Sequence, residues 1–312
     1  MLSENSARAT VPAAAVAVAL AGLMVSAGMA TAGQRTAAQM PELKTVLFDV
    51  ANSMGMLRFS EQRDAIRTLE VWATGTMNVD GQMFKLPQYR ASFNYHDHVR
   101  GVRVDFTRVG ADGVPQRRVE VVAGEFAWDE TTPGMNPTPA PAALRARLIR
   151  YYSNPQTLVK AAVAAGVSTR LSREGGNAVL TFPLPAPVSD ITATMTLSTR
   201  KEMFLSWYEF AKRQGRTVPE RLAPYPPREG LIGVYPERIV LRDGNATIET
   251  TFAEYGDWND DDLKADVFIP RRIVQRRGPV TVLDLTVIRT NTNSPYVIIP
   301  IPANVKTAGA AR

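Results

Sequence analysis

The sequence contains no cysteine. That excludes disulfides, thiolate metal sites and a cysteine nucleophile. It does not exclude export, because a chain of 312 residues can build a core without covalent staples. Histidine is almost as scarce, with only His96 and His98 present. A hydrolytic zinc site takes three protein ligands as a rule. In "NYHDHVRG", residues 94–101, a regular strand would set both histidines on one side. Asp97 would point the other way, together with Phe93 and Tyr95. The expectation is a solvated polar pair and no metal site.

Other absences narrow the function further. There is no G-x-S-x-G, no P-loop and no dinucleotide fingerprint. "DWNDDDLKAD", residues 257–266, starts like a calcium loop with Asp257, Asn259 and Asp261. It then has Asp262 where such a loop needs glycine and Phe268 where it needs glutamate, so it reads as a solvated acidic turn. No nucleophile–base pair and no metal set can be assembled. The chain is therefore expected to be no enzyme and to need no cofactor. The net charge of +6 is spread over scattered basic residues, and no nucleic-acid-binding motif is present, so no nucleic-acid partner is expected.

What the sequence does have begins with its leader. Residues 9–34 carry no charge and are rich in alanine. Ala30-Thr31-Ala32 supplies the small-x-small pattern of a cleavage site. Residues 1–32 are expected to be a signal peptide, with the mature part periplasmic or secreted. The alternative is an anchor in the inner membrane, because the stretch is long enough to span. With no cysteine after the leader, lipidation there is not available.

Beyond the leader the hydrophobic period alternates between helix and strand. Pro41 opens a helix with Leu43, Val46, Leu47 and Val50 on one stripe. Period two follows: Val71, Ala73, Gly75, Met77 and Val79 share a face, and Asp80-Gly81 signals a hairpin. Val102, Val104 and Phe106 form another apolar side. "RRVEVVAGEFAWDE" reads as one strand bent near Gly124. A Pro-rich loop leads to two helices, about 142–152 and 155–165. The second has Leu158, Val159, Ala162 and Val163 on its apolar side and stops at Gly166. "DITATMTLST" alternates cleanly, with Ile191, Ala193, Met195 and Leu197 on one side. Hairpins at Asp243-Gly244 and Gly278-Pro279 follow. The proline-rich tail "SPYVIIPIPANV" reads as an extended edge segment.

About ten strands, mostly hairpin-connected, stand against three or four helices. No βαβ rhythm appears. The fold class is mainly β (α+β). It is expected to be a curved antiparallel sheet forming a half-open barrel, with helices covering the concave face. Residues 33–312 read as a single domain with an aromatic and Pro-rich insertion at about 200–232. Phe204, Trp207, Tyr208 and Phe210 crowd the first half of that insertion. Arg271, Arg272, Arg276 and Arg277 divide between the two sides of their strand and read mainly as solvated.

The order of several phrases is familiar: "AIRTLEVWATGTM", "VVAGEFAWDE" followed by a helix ending "LVKAAVAAG", then "ATIETTFAEYGDW", "FIPRRIVQR" and "VLDLTVIRTNTN". This order resembles the exported LolA-like proteins of outer-membrane lipoprotein sorting. It is also similar to the N-terminal region that precedes the metallo-β-lactamase-type domain of some exported hydrolases. The resemblance covers most of residues 60–305 apart from the insertion. It implies an incomplete antiparallel barrel with helices in its mouth and an acyl-chain cavity. The hydrolase domain would follow such a region, and the sequence ends at Arg312 before one. The functional expectation is a non-catalytic periplasmic protein binding a lipid or acyl chain, lined by Val102, Val104, Phe106, Met195 and Leu197, with Phe204 and Trp207 covering. The alternative is an accessory subunit or interaction module of an envelope complex, with Tyr208 and Phe210 in contact with the protein partner.

Overall fold

The computed structural model describes residues 42–58, 63–96, 100–201, 232–258 and 267–310. Met1–Thr45 and Val46–Arg312 are separate units, and the account below concerns the second. The leader, the insertion with Phe204, Trp207, Tyr208 and Phe210, and the residues Asp97, His98, Asn259, Asp261 and Asp262 lie outside the described residues.

A helix, α1, runs to residue 53. Its Val50 is fully buried, and Gly55, at φ 68°, turns the chain out of it. Two short strands, β1 (Leu57–Arg58) and β2 (Arg63–Asp64), pair with each other. The first meander then comprises β3 (Thr68–Val79), β4 (Gln82–Asn94), β5 (Gly101–Val109), β6 (Pro115–Ala123), β7 (Phe126–Glu130) and β8 (Thr138–Pro139). Two helices follow, α2 (Leu144–Tyr152) and α3 (Pro155–Ala165). The second meander is β9 (Arg170–Glu174), β10 (Asn177–Pro183), β11 (Thr192–Lys201), β12 (Ile232–Asp243), β13 (Ala246–Gly256), β14 (Ile269–Arg277) and β15 (Val280–Thr292). A last helix, α4, spans Ala303–Ala310.

Thirteen of these strands form one antiparallel sheet in the order β8-β7-β6-β5-β4-β3-β15-β14-β13-β12-β11-β10-β9. It is curled without closing into a barrel, and the helices cover its concave face. The topology is simple. From β3 the chain steps outward to one edge, crosses through the helices to the other edge, and steps back inward to β15. The pair β3–β15, with Met77 opposite Leu283, is the seam between the meanders.

Hairpin chemistry fixes the register. At Asp80-Gly81 both residues have positive φ, 52° and 85°, as a two-residue type I′ turn requires. The segment around Gly124 is a correction: β6 and β7 form a hairpin, with Ala123 paired to Phe126, where the sequence reads as a single bent strand. Gly124 at φ 56° makes the reversal possible. β9 gave no sequence signal, because only Leu171 of its five residues is buried. Val163, expected on the apolar side of α3, is exposed. The tail is a further correction. Residues 293–302 form no strand. Ile299 and Val305 instead pack against Val119, Val121 and Trp128, so the prolines accompany a segment laid across the sheet rather than along its edge. β4 ends at Asn94, so His96 is an exposed loop residue and not a strand position.

Candidate ligand-binding face

Register carries the concave face across the sheet. One row of directly paired residues runs Leu180, Met195, Ile239, Thr250, Gln275, Leu283, Met77 and Phe84, crossing eight strands from β10 to β4. A second row joins Phe106 to Tyr89 and Ala73. Ala73 and Met77 alternate on β3, so both rows belong to one face. The two predicted sets, Val102, Val104 and Phe106 on β5 and Met195 and Leu197 on β11, therefore point to the same side from opposite halves of the sheet.

These five side chains are buried, at 2%, 1%, 2%, 0% and 1% of their accessible surface. A hollow larger than a water molecule beside them would leave accessible surface on its walls. In this structure all five are packed over. The five residues expected to line a cavity thus share one buried face of the sheet.

The filling is helical and, at its centre, polar. α2 ends at Ser153 and α3 begins after Asn154, whose side chain caps it by accepting from the backbone N–H of Thr157 at 3.1 Å. Pro155 at the first helical position suits that start. Tyr95 Oη donates to Asn154 Oδ1 at 3.2 Å. Gln275 Nε2 donates to Ser153 Oγ at 3.0 Å and to Thr250 Oγ1 at 3.2 Å. Gln156, fully buried, donates to the carbonyl of Phe268 at 3.0 Å, and its Oε1 has no partner among the described residues. Thr290 and Thr292, on the same sheet face opposite Val71 and Leu69, also carry hydroxyls without a partner among the described residues. A sheet face that is apolar on either side thus carries amides and hydroxyls where it meets the α2–α3 junction.

The flanks of the helices are tied by charge. Buried Arg147 donates to the carbonyls of Val121 at 3.1 Å and Trp128 at 2.6 Å, and pairs with Asp129. Arg150 pairs with Glu120 at 2.5 Å. Burial alone would push the Glu120 carboxyl up, but Arg150, Arg147 and Arg118 together hold it below its ordinary value. Arg145 bridges Asp190 and Asp243. Lys160 of α3 pairs with Asp64 and donates to the carbonyl of Ile66 at 3.0 Å. No feature of the sequence of α2 signals that Arg147 turns inward.

Aromatic rings complete the wall: Tyr95 stacks on Phe93 at 6.0 Å, and Tyr151 lies 6.2 Å from Phe93. Burial raises the Tyr95 phenol well above its ordinary value, with Tyr151 adding to the effect. Burial likewise raises Tyr151 and Tyr89. The pH consequence follows from the sign. Below pH 10.0 these phenols are protonated in both folded and unfolded chains, and stability does not depend on them. Above it the unfolded phenols ionise while the folded ones resist, so stability falls as pH rises. Alkaline titration should therefore show loss of circular dichroism together with tyrosinate absorbance. Tyr95→Phe should make that alkaline loss shallower.

Comparisons with known proteins add little. No family model matches the chain, and no curated protein matches it. A solved structure described as the crystal structure of LprF from Mycobacterium bovis aligns at 11% identity and a TM-score of 0.30. The alignment covers 84% of this chain and 98% of that one. At that score no residue correspondence is carried over.

Two clefts open elsewhere among the described residues. One of about 410 Å³ is bordered by Thr196, Glu237, Arg238, Thr251 and Arg272. The other, about 600 Å³, lies beside β6 and is rich in arginine. The arginines of "RRIVQRR" divide as their strand dictates, and Arg272 pairs with Asp284 at 2.5 Å. No helix among the described residues is long and apolar enough to cross a membrane, and no cluster of three metal-ligating side chains occurs among them.

Proposed function

We propose that this is a non-catalytic, exported protein, made as residues 33–312 behind a 1–32 signal peptide, that binds a lipid or acyl chain on the concave face of a LolA-like half-barrel. The observation that carries the reading is the mismatch at the α2–α3 junction. A largely apolar sheet face is covered there by Ser153, Asn154, Gln156 and Thr157, with a buried amide oxygen left unpartnered among the described residues. Covering an apolar face with polar groups is a weak use of that face. An acyl chain in the same place would gain roughly 0.8 kcal/mol per buried methylene. Binding requires the junction to lift, so the structure described here is the closed form of such a carrier.

The test uses the full mature chain and a fluorescent fatty acid. Saturable binding is expected. Gln275→Ala, which removes the contacts to Ser153 and Thr250, should tighten it by about fivefold, as a shift of roughly 1 kcal/mol between closed and open forms predicts. Lipid should also co-purify with protein extracted natively. If neither the parent nor Gln275→Ala shows saturable binding, the carrier reading fails.

The second reading is an interaction module or accessory subunit of an envelope complex. The solid packing around Val104 and Met195 favours it, since a filled core needs no cargo. Its contact surface would be the insertion. A partner recovered with the parent and lost with Trp207→Ala and Tyr208→Ala together would support it.

A further inference from the structure

The cleft beside β6 is built differently from the rest of the surface. β7 stops at Glu130, opposite Val119. The stretch Pro115–Arg118 therefore has β5 on one side and no strand on the other among the described residues. Arginines 108, 117, 118 and 147 line the opening, together with three carboxylates, Thr131 and Asn136. The carboxylates of this region are already engaged. Asp105 takes Arg117 at 2.7 Å, Glu120 takes Arg150, Asp129 takes Arg147, and Glu130 takes Arg103 at 2.9 Å. Two guanidiniums make no ion pair with these carboxylates, although the charge of Arg118 acts on Glu120 two residues along its strand. Arg108 donates to the Gln116 amide oxygen at 3.1 Å and lies over the Phe84 ring at 4.6 Å. Arg118 is exposed and has no hydrogen-bond or ion-pair partner among the described residues.

The register makes these two neighbours. Phe106 pairs with Arg118 and Arg108 with Gln116, so Arg108 and Arg118 are diagonal on one face, roughly 7 Å apart. They continue the concave stripe Val102, Val104, Phe106. Like charges so placed repel one another, and the nearby Glu120 carboxylate is already paired with Arg150. Guanidinium forks suit the tetrahedral oxygens of phosphate, and hydroxyl and amide donors stand beside them. We infer that this cleft is a phosphate-binding site, with Arg108 and Arg118 as its counter-charges. The inference goes beyond the carrier reading and is independent of it, since phosphate can be tested without any apolar chain.

The test is thermal unfolding of the mature chain in inorganic phosphate, alongside co-sedimentation with phosphatidylglycerol vesicles and with phosphatidylcholine vesicles. The variants are the double substitution Arg108→Gln with Arg118→Gln, and Arg170→Gln as a control arginine on the far edge. The double variant should fold as well as the parent, because it loses a repulsive pair, one hydrogen bond and the contact of Arg108 with the Phe84 ring. Phosphate should raise the parent's melting temperature. The double variant should need about tenfold more phosphate, or greater, for the same shift. Arg170→Gln should behave as the parent. Capture by phosphatidylglycerol alone, lost in the double variant, would assign the phosphate to a lipid headgroup. Protection by inorganic phosphate without vesicle capture would assign it to a soluble phosphate ester. Absence of both effects, or effects that survive in the double variant, would overturn the site.

Discussion

Glu130→Ala should destabilise the protein by about 3–5 kcal/mol, the range expected when one partner of a buried ion pair is removed. Four donors converge on that carboxylate. Arg103 gives Nε at 2.9 Å and Nη2 at 3.1 Å, Trp128 gives its indole N–H at 2.8 Å, and Gly134 gives its backbone N–H at 2.7 Å. Alanine would orphan all of them around a side chain that is itself buried. Trp128 is fully buried beneath Ile299 and Val305 of the tail, so the damage should spread to the C-terminal segment. Urea denaturation followed by tryptophan fluorescence measures the loss. Glu130→Gln should recover part of it, because an amide oxygen still accepts from the indole while the charge on Arg103 is left unbalanced. A loss below about 1 kcal/mol for the alanine variant would mean that solvent readily replaces the carboxylate.

Gly75→Ala is expected to be comparably severe for a different reason. A β-carbon at Gly75 would fall 1.9 Å from the backbone oxygen of Asp284 and 3.0 Å from the Cα of Leu285. The obstacle is main chain, so no side-chain rotation relieves it. Gly75 also sits beside the register shift of β3 against β4, where the strand already bends. The strand it would push away is β15, the partner across the seam between the two meanders. Overpacking costs typically about 1–3 kcal/mol, and a backbone clash at a central ladder belongs at or above the top of that range. The variant should also unfold faster. β3 and β15 are more than 200 residues apart in sequence, so their contact closes the longest loop and is expected to form late. Stopped-flow unfolding of Gly75→Ala against the parent reads this directly. Gly81→Ala, where an added carbon meets nothing within 4 Å but φ is 85°, gives a turn-strain reference with no clash.

Much of the sheet was legible because its chemistry is local. Ile191, Ala193, Met195 and Leu197 alternate with threonines, and a strand with one buried side gives that pattern directly. Asp80-Gly81 marked its hairpin because few residue pairs accept two positive φ values. What local pattern cannot report is which strands meet. That β3 pairs with β15 follows from no feature of either strand alone. The hairpin at Gly124 was hidden because the residues on both sides are apolar: Val121, Val122, Ala123, Ala127 and Trp128 are all buried. Both faces are covered there, α2 on one and the tail on the other, and alternation is lost wherever that happens. The tail itself lies on the sheet through Ile299, Ile301 and Val305 without entering the ladder, a role that prolines permit as readily as an edge position. The candidate face was legible residue by residue through Val102, Val104, Phe106, Met195 and Leu197. The amides and hydroxyls of the α2–α3 junction that oppose it were not, because Ser-Asn-Pro reads only as a helix start.

The topology places one constraint on any motion of that junction. β8 and β9 are the two outermost strands, and residues 140–169 run from one to the other carrying α2 and α3. The helices are thus slung between the sheet's rims like a strap, anchored at both ends. A guest that raised them would have to draw the rims together or take up slack near Ala140 and Thr169. Loading and a change in the width of the mouth would then be a single event, which a pair of spectroscopic labels on β8 and β9 could follow, in a chain whose lack of thiols leaves those two positions free for labelling.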